Sequence, residues 1–260
     1  MQDLRITLVQ MDIHWQQPAK NREKIEVRIG QLAGQTDLIV LPEMFTTGFS
    51  MDASGQAETM QGETVQWMTS WAKKLGAALT GSLIIEEDGH YYNRLVWMEP
   101  DGSFQTYDKR HLFAMAGEDA HYTRGKDRLV VNYLGWRICP LICYDLRFPV
   151  WARNDDAYDL LIYMANWPDR RAYDWQTLLR ARAIENQCYV AAVNRVGEDS
   201  NGLHYQGDSC LIDPGWRKVL YEQSHEEAMH TVSLSATHLK AVREKLPFLA
   251  DRDEFKVEGL

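Results

Sequence analysis

Three features of the 260-residue chain point to an α/β protein with mixed rather than purely parallel sheets. Apolar strand-like runs alternate with amphipathic helical stretches, the pattern of helices layered on sheets. Two Asp-Gly pairs, Asp88-Gly89 and Asp101-Gly102, lie between such runs as hairpin signals and bring in antiparallel pairing. No low-complexity stretch, long linker, charge block or internal repeat divides the sequence, so residues 1–260 are expected to form one domain.

The elements follow in order. RITLVQM (5–11) reads as a strand, and PAKNREKIEVRIGQLAG (18–34) as a helix with Ile25, Ile29 and Leu32 on one face. DLIVLPE (37–43) is a short apolar run stopped by Pro42, like a strand covered on both faces. ETVQWMTSWAKKLG (63–76) is a helix with Gly76 at its end. The hairpin signals then join AALTGSLIIEE, YNRLVWMEP and SFQTYDK. In the second half WRICPLICY (136–144) is a strand, RFPVWARND (147–155) a short helix, YDLLIYMAN (158–166) a strand and YDWQTLLRARAIENQ (173–187) a helix. CYVAAVNR, GDSCLIDP and KVLYEQS follow as strands, with Pro214-Gly215 as a turn. Periodicity does not give the number of sheets.

Composition excludes several classes of function. A net charge of −9 is the wrong sign for a general nucleic-acid surface. It also means that an anionic substrate must be drawn by a local basic group rather than by the overall field. No apolar run approaches the roughly 20 residues that span a bilayer, and MQDLRITLVQ lacks the pattern of a signal peptide. A cytoplasmic protein is expected. The four cysteines, Cys139, Cys143, Cys188 and Cys210, form no CxxC pair, and no zinc-site spacing is present, so no metal is expected. Cys139 and Cys143, four apart on a strand, would stand roughly 13 Å from each other, beyond disulfide reach.

Three of these thiols lie within apolar strands and read as small core residues. Cys143 ends its run, and a helix is expected to begin just after it. A thiol beside a helix N-terminus has a lowered pKa and so attacks more readily. Asp145 suits that first turn, whereas Arg147 opposes the helix dipole and could serve as a fork for a substrate carboxylate. A cysteine nucleophile needs a base and an oxyanion stabiliser. His111 in YDKRHLF and Glu43 at the end of LIVLPEM are both candidate bases, and pattern alone does not choose between them.

Taken together, LPEMFTTGF (41–49), YDKRHLF (107–113) and CYDLRFPVWAR (143–153) resemble the three catalytic motifs of the nitrilase, or carbon–nitrogen hydrolase, superfamily, in its order and spacing. The likeness extends through RITLVQ, NRLVWMEPDG, MANWP, RARAIENQCYVAAVNRVG and GDSCLIDPGW. It implies a four-layer α-β-β-α sandwich, usually paired into a dimer through its helical face. It also implies Glu43 as general base, Lys109 as oxyanion stabiliser, Cys143 as nucleophile and Glu118 as a second active-site glutamate. The Tyr144 backbone N–H would complete the oxyanion hole, with no cofactor needed.

Within the superfamily CYDLRFPVW, ANWP and ARAIENQ are similar to the bacterial omega-amidases. That likeness implies a small-molecule substrate with an amide at one end and a carboxylate at the other, such as 2-oxoglutaramate or 2-oxosuccinamate. Arg147 would hold the carboxylate, with Asn166 and Trp167 lining the pocket. Arg170 and Arg171 read as a solvated helix start, and Arg182 and Glu185 as structural. Hydrolysis of N-carbamoyl compounds or nitriles by the same residues is the alternative within the class. Acyl transfer to an amine, or a silent dimeric binding domain, are alternatives outside it.

Overall fold

The computed structural model describes residues 1–215 and 218–257; Trp216, which closes one of the segments carrying the resemblance, lies outside them. The chain runs β1 (Leu4–Gln10), α1 (Pro18–Ile29), β2 (Leu38–Val40), α2 (Ala53–Gln56), α3 (Glu63–Leu75), β3 (Ala78–Glu87), β4 (His90–Met98) and β5 (Phe104–Asp108). It continues through α4 (Glu118–His121), β6 (Val131–Tyr133), β7 (Trp136–Ile142), β8 (Leu160–Ala165), α5 (Ala172–Asn186), β9 (Tyr189–Asn194) and β10 (Val196–Glu198). Then come β11 (His204–Ile212), β12 (Val219–Ser224), β13 (Ala228–Leu234) and α6 (Ala236–Lys245).

Two sheets result. One has six strands in the order β13-β1-β2-β3-β4-β5; the other has seven, β10-β11-β9-β8-β7-β6, with β12 also on β11. Each is built on three parallel strands, β1-β2-β3 and β7-β8-β9, flanked by antiparallel ones. The period of two along each strand sorts its residues between layers. Leu4, Ile6 and Leu8 of β1, Leu38 and Val40 of β2, and Leu95 and Trp97 of β4 enter the apolar core shared with the second sheet. Their neighbours Val9, Ile39, Val96 and Met98 instead pack with Ile25 and Ile29 of α1 and Met68 and Ala72 of α3. On the other side α5 buries Trp175, Leu179 and Ala183, and α6 buries Leu239 and Val242. The layering is helix, sheet, sheet, helix, as the resemblance implied.

Several expectations need correction. The first helix stops at Ile29, and Leu32 is buried from a turn, its N–H donating to the Ile29 carbonyl at 2.9 Å. No helix forms over 147–155. Instead a five-residue 3₁₀ turn, Cys143–Arg147, directly ends β7. Pro149 disfavours helical geometry at the residue before it, and Phe148 sits at φ −112, ψ 89. Strands β6, β10 and β13 and helix α6 were not foreseen.

Candidate active site

Glu43, Lys109, Cys143 and Asn166 each follow a strand, β2, β5, β7 and β8 respectively. In α/β sheets such strand ends frame the crevice where ligands bind. Here all four line one cleft of about 340 Å³, together with Tyr144, Arg147 and Trp167.

At its base lies a fully buried ion cluster. Lys109 Nζ donates to Glu43 Oε1 at 2.8 Å and to Glu118 Oε1 and Oε2 at 3.0 and 2.9 Å. Asn93 Nδ2 bridges the same two carboxylates, at 2.8 Å to Glu43 and 3.1 Å to Glu118. The other Glu43 oxygen accepts from the Asn166 backbone N–H at 2.9 Å, and Asn166 Nδ2 donates to the Glu43 carbonyl at 2.7 Å. Neither Glu43 nor Lys109 can leave this arrangement without stranding a buried charge. The loop beyond Glu43 is pinned as well, because the Met44 N–H donates to Ser82 Oγ at 2.9 Å.

Cys143 opens into the cleft from the 3₁₀ turn with φ +43, a left-handed conformation that costs a residue with a Cβ. Buried Asp145, two residues on, holds the turn. It accepts from the Ile142 N–H at 3.0 Å, the Tyr107 hydroxyl at 2.7 Å, and His111 through its N–H at 3.1 Å and Nδ1 at 2.8 Å. Arg182 Nη2 of α5 donates to the Leu146 carbonyl at 2.7 Å, which gives that arginine the structural role expected of it. The Tyr144 N–H lies at the start of the turn, where backbone donors lack an acceptor within the turn.

His111 is thus spoken for. It ties the Lys109 loop to the Cys143 turn, stacks on Phe148 at 3.7 Å between ring centroids, and does not line the cleft. Glu43 does, and its carboxylate interacts with the thiol. Burial, then Glu43, pushes the Cys143 thiol well above its ordinary pKa; Lys109 pulls the other way and is outweighed. The expected lowering by a helix N-terminus is therefore overturned, and the resting group is a neutral thiol beside a carboxylate. For Lys109, burial works against the charge, but Glu118 and Glu43 more than offset it and the pKa rises. Glu118 is raised, by burial first and despite Lys109.

Asn93 escaped attention in the sequence. Its only signal there is an amide that precedes Arg94 and the apolar run LVWM of β4. Asn166, expected to contact substrate, lines the cleft but also holds Glu43, while its Oδ1 is buried without a partner. Arg147 lines the cleft too, with Nη2 already 2.6 Å from Asp174. Among the described residues no cluster of three or more His, Cys, Asp or Glu is arranged to hold a metal ion.

The family model of carbon–nitrogen hydrolases matches residues 5–244. The chain belongs to the carbon–nitrogen hydrolase family. Omega-amidase YafV of Escherichia coli K12 is 46% identical over 257 residues, covering 99% of this chain and all of that one. The 2-oxoglutaramate amidase of Bacillus subtilis 168 is 34% identical over 95% of this chain and 96% of its own. Among solved structures, XC1258 of Xanthomonas campestris, a carbon–nitrogen hydrolase superfamily protein with an arsenic adduct in its active site, superposes with a TM-score of 0.97. It is 49% identical and covers 99% of this chain and all of that one. For a carbon–nitrogen hydrolase, the cleft floored by Glu43, Lys109 and Cys143 is the place to look for chemistry.

Proposed function

We propose that the protein is an omega-amidase. It hydrolyses the terminal amide of 2-oxoglutaramate, and of similar short monoamides such as 2-oxosuccinamate, to the dicarboxylate and ammonia. The observation that carries the reading is the buried Glu43–Lys109–Glu118 cluster beside the Cys143 thiol. Full-length relatives named as an omega-amidase and as a 2-oxoglutaramate amidase support the choice of substrate.

In this reading the Glu43 carboxylate takes the thiol proton as Cys143 Sγ attacks the amide carbon. The raised thiol pKa suits a proton transfer timed with attack rather than a standing thiolate. Negative charge developing on the amide oxygen is met by Lys109 Nζ and the Tyr144 N–H. The tetrahedral adduct expels ammonia, which receives the proton from Glu43, and a thioester remains. Water then attacks the thioester and gives its proton to the same carboxylate, and the acid leaves as the thiol is restored. Glu118 and Asn93 hold Lys109 and Glu43 in register and need not touch substrate. Arg147, through the nitrogens that Asp174 leaves free, faces the distal carboxylate, with Trp167 and Asn166 along the chain between.

A single domain spanning the chain, cytoplasmic location and pairing through the helical face belong to the same proposal. Exposed Ile184 on α5, with Val150, Phe248 and Phe255 around a neighbouring groove, supports the pairing. No helix among the described residues is long and apolar enough to cross a membrane. Ammonia release measured across 2-oxoglutaramate, a neutral short amide, an N-carbamoyl acid and a nitrile tests the substrate class. The carboxylate-bearing amide should be turned over best, and preference for the carbamoyl compound or the nitrile would overturn the assignment.

A further inference from the structure

Away from the Glu43–Lys109 pair, Arg147, Arg170 and Arg171 line the cleft. Among the described residues only two carboxylates stand against them, Asp199 on the lining and the Asp174 paired with Arg147, so positive charge is in excess there. Arg147 is paired with Asp174 at 2.6 Å and lies 4.8 Å from the centroid of the Trp167 ring. Lys109 is enclosed between two glutamates. Arg171 is different. It lines the cleft, makes no ion pair among the described residues, and places its guanidinium 5.2 Å from the centroid of the Phe113 ring. Its backbone is fixed: the N–H donates to the Pro168 carbonyl at 3.0 Å, and its own carbonyl accepts from Trp167 Nε1 at 2.8 Å. The side chain therefore rises from a rigid base beside the Trp167 wall.

The backbone position does not favour an arginine there. It is the N-cap of α5, where Ser, Thr, Asp or Asn would be preferred and where a cation opposes the helix dipole. It makes no side-chain cap bond. Burial, with Arg170 and Arg147 close by, disfavours its charge and lowers its pKa. A residue that breaks several local preferences and gains no ion pair is expected at a functional site.

We infer that Arg171 is the principal contact of the substrate's distal carboxylate, with Arg147 as its paired neighbour; the inference rests on the omega-amidase reading. A carboxylate in the outer cleft would relieve the crowding of like charges and give Arg171 the bidentate partner it lacks. Because the protein is strongly acidic overall, such a local, unpaired cation is what could draw an anion in. Exposed Arg170, on the same rim, adds to the attraction. Selectivity for amides that end in a carboxylate then resides at the start of α5, not only in the turn that holds the nucleophile.

The test is kcat/KM for 2-oxoglutaramate and for a chain-matched amide lacking the carboxylate, on wild type, Arg171→Gln, Arg171→Lys and Arg147→Gln. Inhibition by 2-oxoglutarate is measured in parallel. Losing one charge-assisted contact predicts about a 10- to 150-fold fall on 2-oxoglutaramate for Arg171→Gln. That fall should be at least ten times larger than the fall on the neutral amide, with a matching rise in the inhibition constant. Arg171→Lys should recover part of the loss, since it keeps the charge without the planar fork. If Arg171→Gln does not fold, judged by its melting curve, the selective partial loss in Arg171→Lys decides. Equal losses on both substrates, or a larger selective loss in Arg147→Gln, would overturn the assignment of Arg171. Wild type that does not prefer 2-oxoglutaramate over the neutral amide would instead refute the substrate reading itself, and the inference with it.

Discussion

Glu43 controls two properties that a single substitution pulls apart. As the proposed base it is needed for turnover, so Glu43→Gln should lower kcat by at least a hundredfold, the lower end of what a positioned base contributes. The same carboxylate helps to push the Cys143 thiol pKa up, whereas Lys109 pulls it down. Glu43→Gln removes the first influence and keeps the second, so the thiol pKa should fall. A thiol with a raised pKa is mostly protonated at neutral pH, and its alkylation speeds up as pH rises toward that pKa. Alkylation of Cys143 by iodoacetamide, followed against pH, should therefore have a lower midpoint in Glu43→Gln than in wild type, although turnover is lost. A midpoint that rises or stays put would mean that Glu43 does not act on the thiol. His111→Gln can still donate to Asp145 and should lose less than about tenfold in kcat, well short of a catalytic base.

The turn Cys143–Arg147 is the element on which the site depends, and its first residue pays in backbone strain, with φ +43. Alanine ordinarily stabilises a folded chain relative to glycine, but the order reverses where φ is positive. Cys143→Gly should therefore melt above Cys143→Ala, by a few degrees for a difference of about 1 kcal/mol in a protein of this size. The opposite order would argue against the left-handed backbone at Cys143. This turn also marks the limit of what was legible in the sequence. The apolar run ending at Cys143 singled out the thiol, but periodicity extended a helix across 147–155 that Pro149 prevents. The choice between Glu43 and His111 could not come from pattern, because it depends on Asp145 capturing the imidazole across the fold. Asn93 was hidden for the same reason: an amide in a strand acquires meaning only when two glutamates, one after β2 and one at the start of α4, close on it.

At the level of the whole molecule the layers were easier to read than their edges. Helices α1 and α3 carry their own periodicity and the Asp-Gly turns announce β3-β4-β5, all local signals. Strand β13 has none of comparable strength: it is defined by pairing with β1 at the other end of the chain, Leu4 opposite Leu234. Dimerisation lies at this level too. If the helical face is the contact, wild type should run as a dimer in light scattering, and Ile184→Glu, which places a charge on an exposed apolar position of α5, should shift it toward monomer. A monomeric wild type would remove the pairing proposal and leave the chemistry untouched. That chemistry is tested by the rate of ammonia release from 2-oxoglutaramate by Cys143→Ala beside wild type. Loss of the nucleophile should cost at least about a thousandfold, roughly 4 kcal/mol of transition-state stabilisation. A Cys143→Ala protein that releases ammonia at a rate near that of wild type would contradict a thioester mechanism at this site.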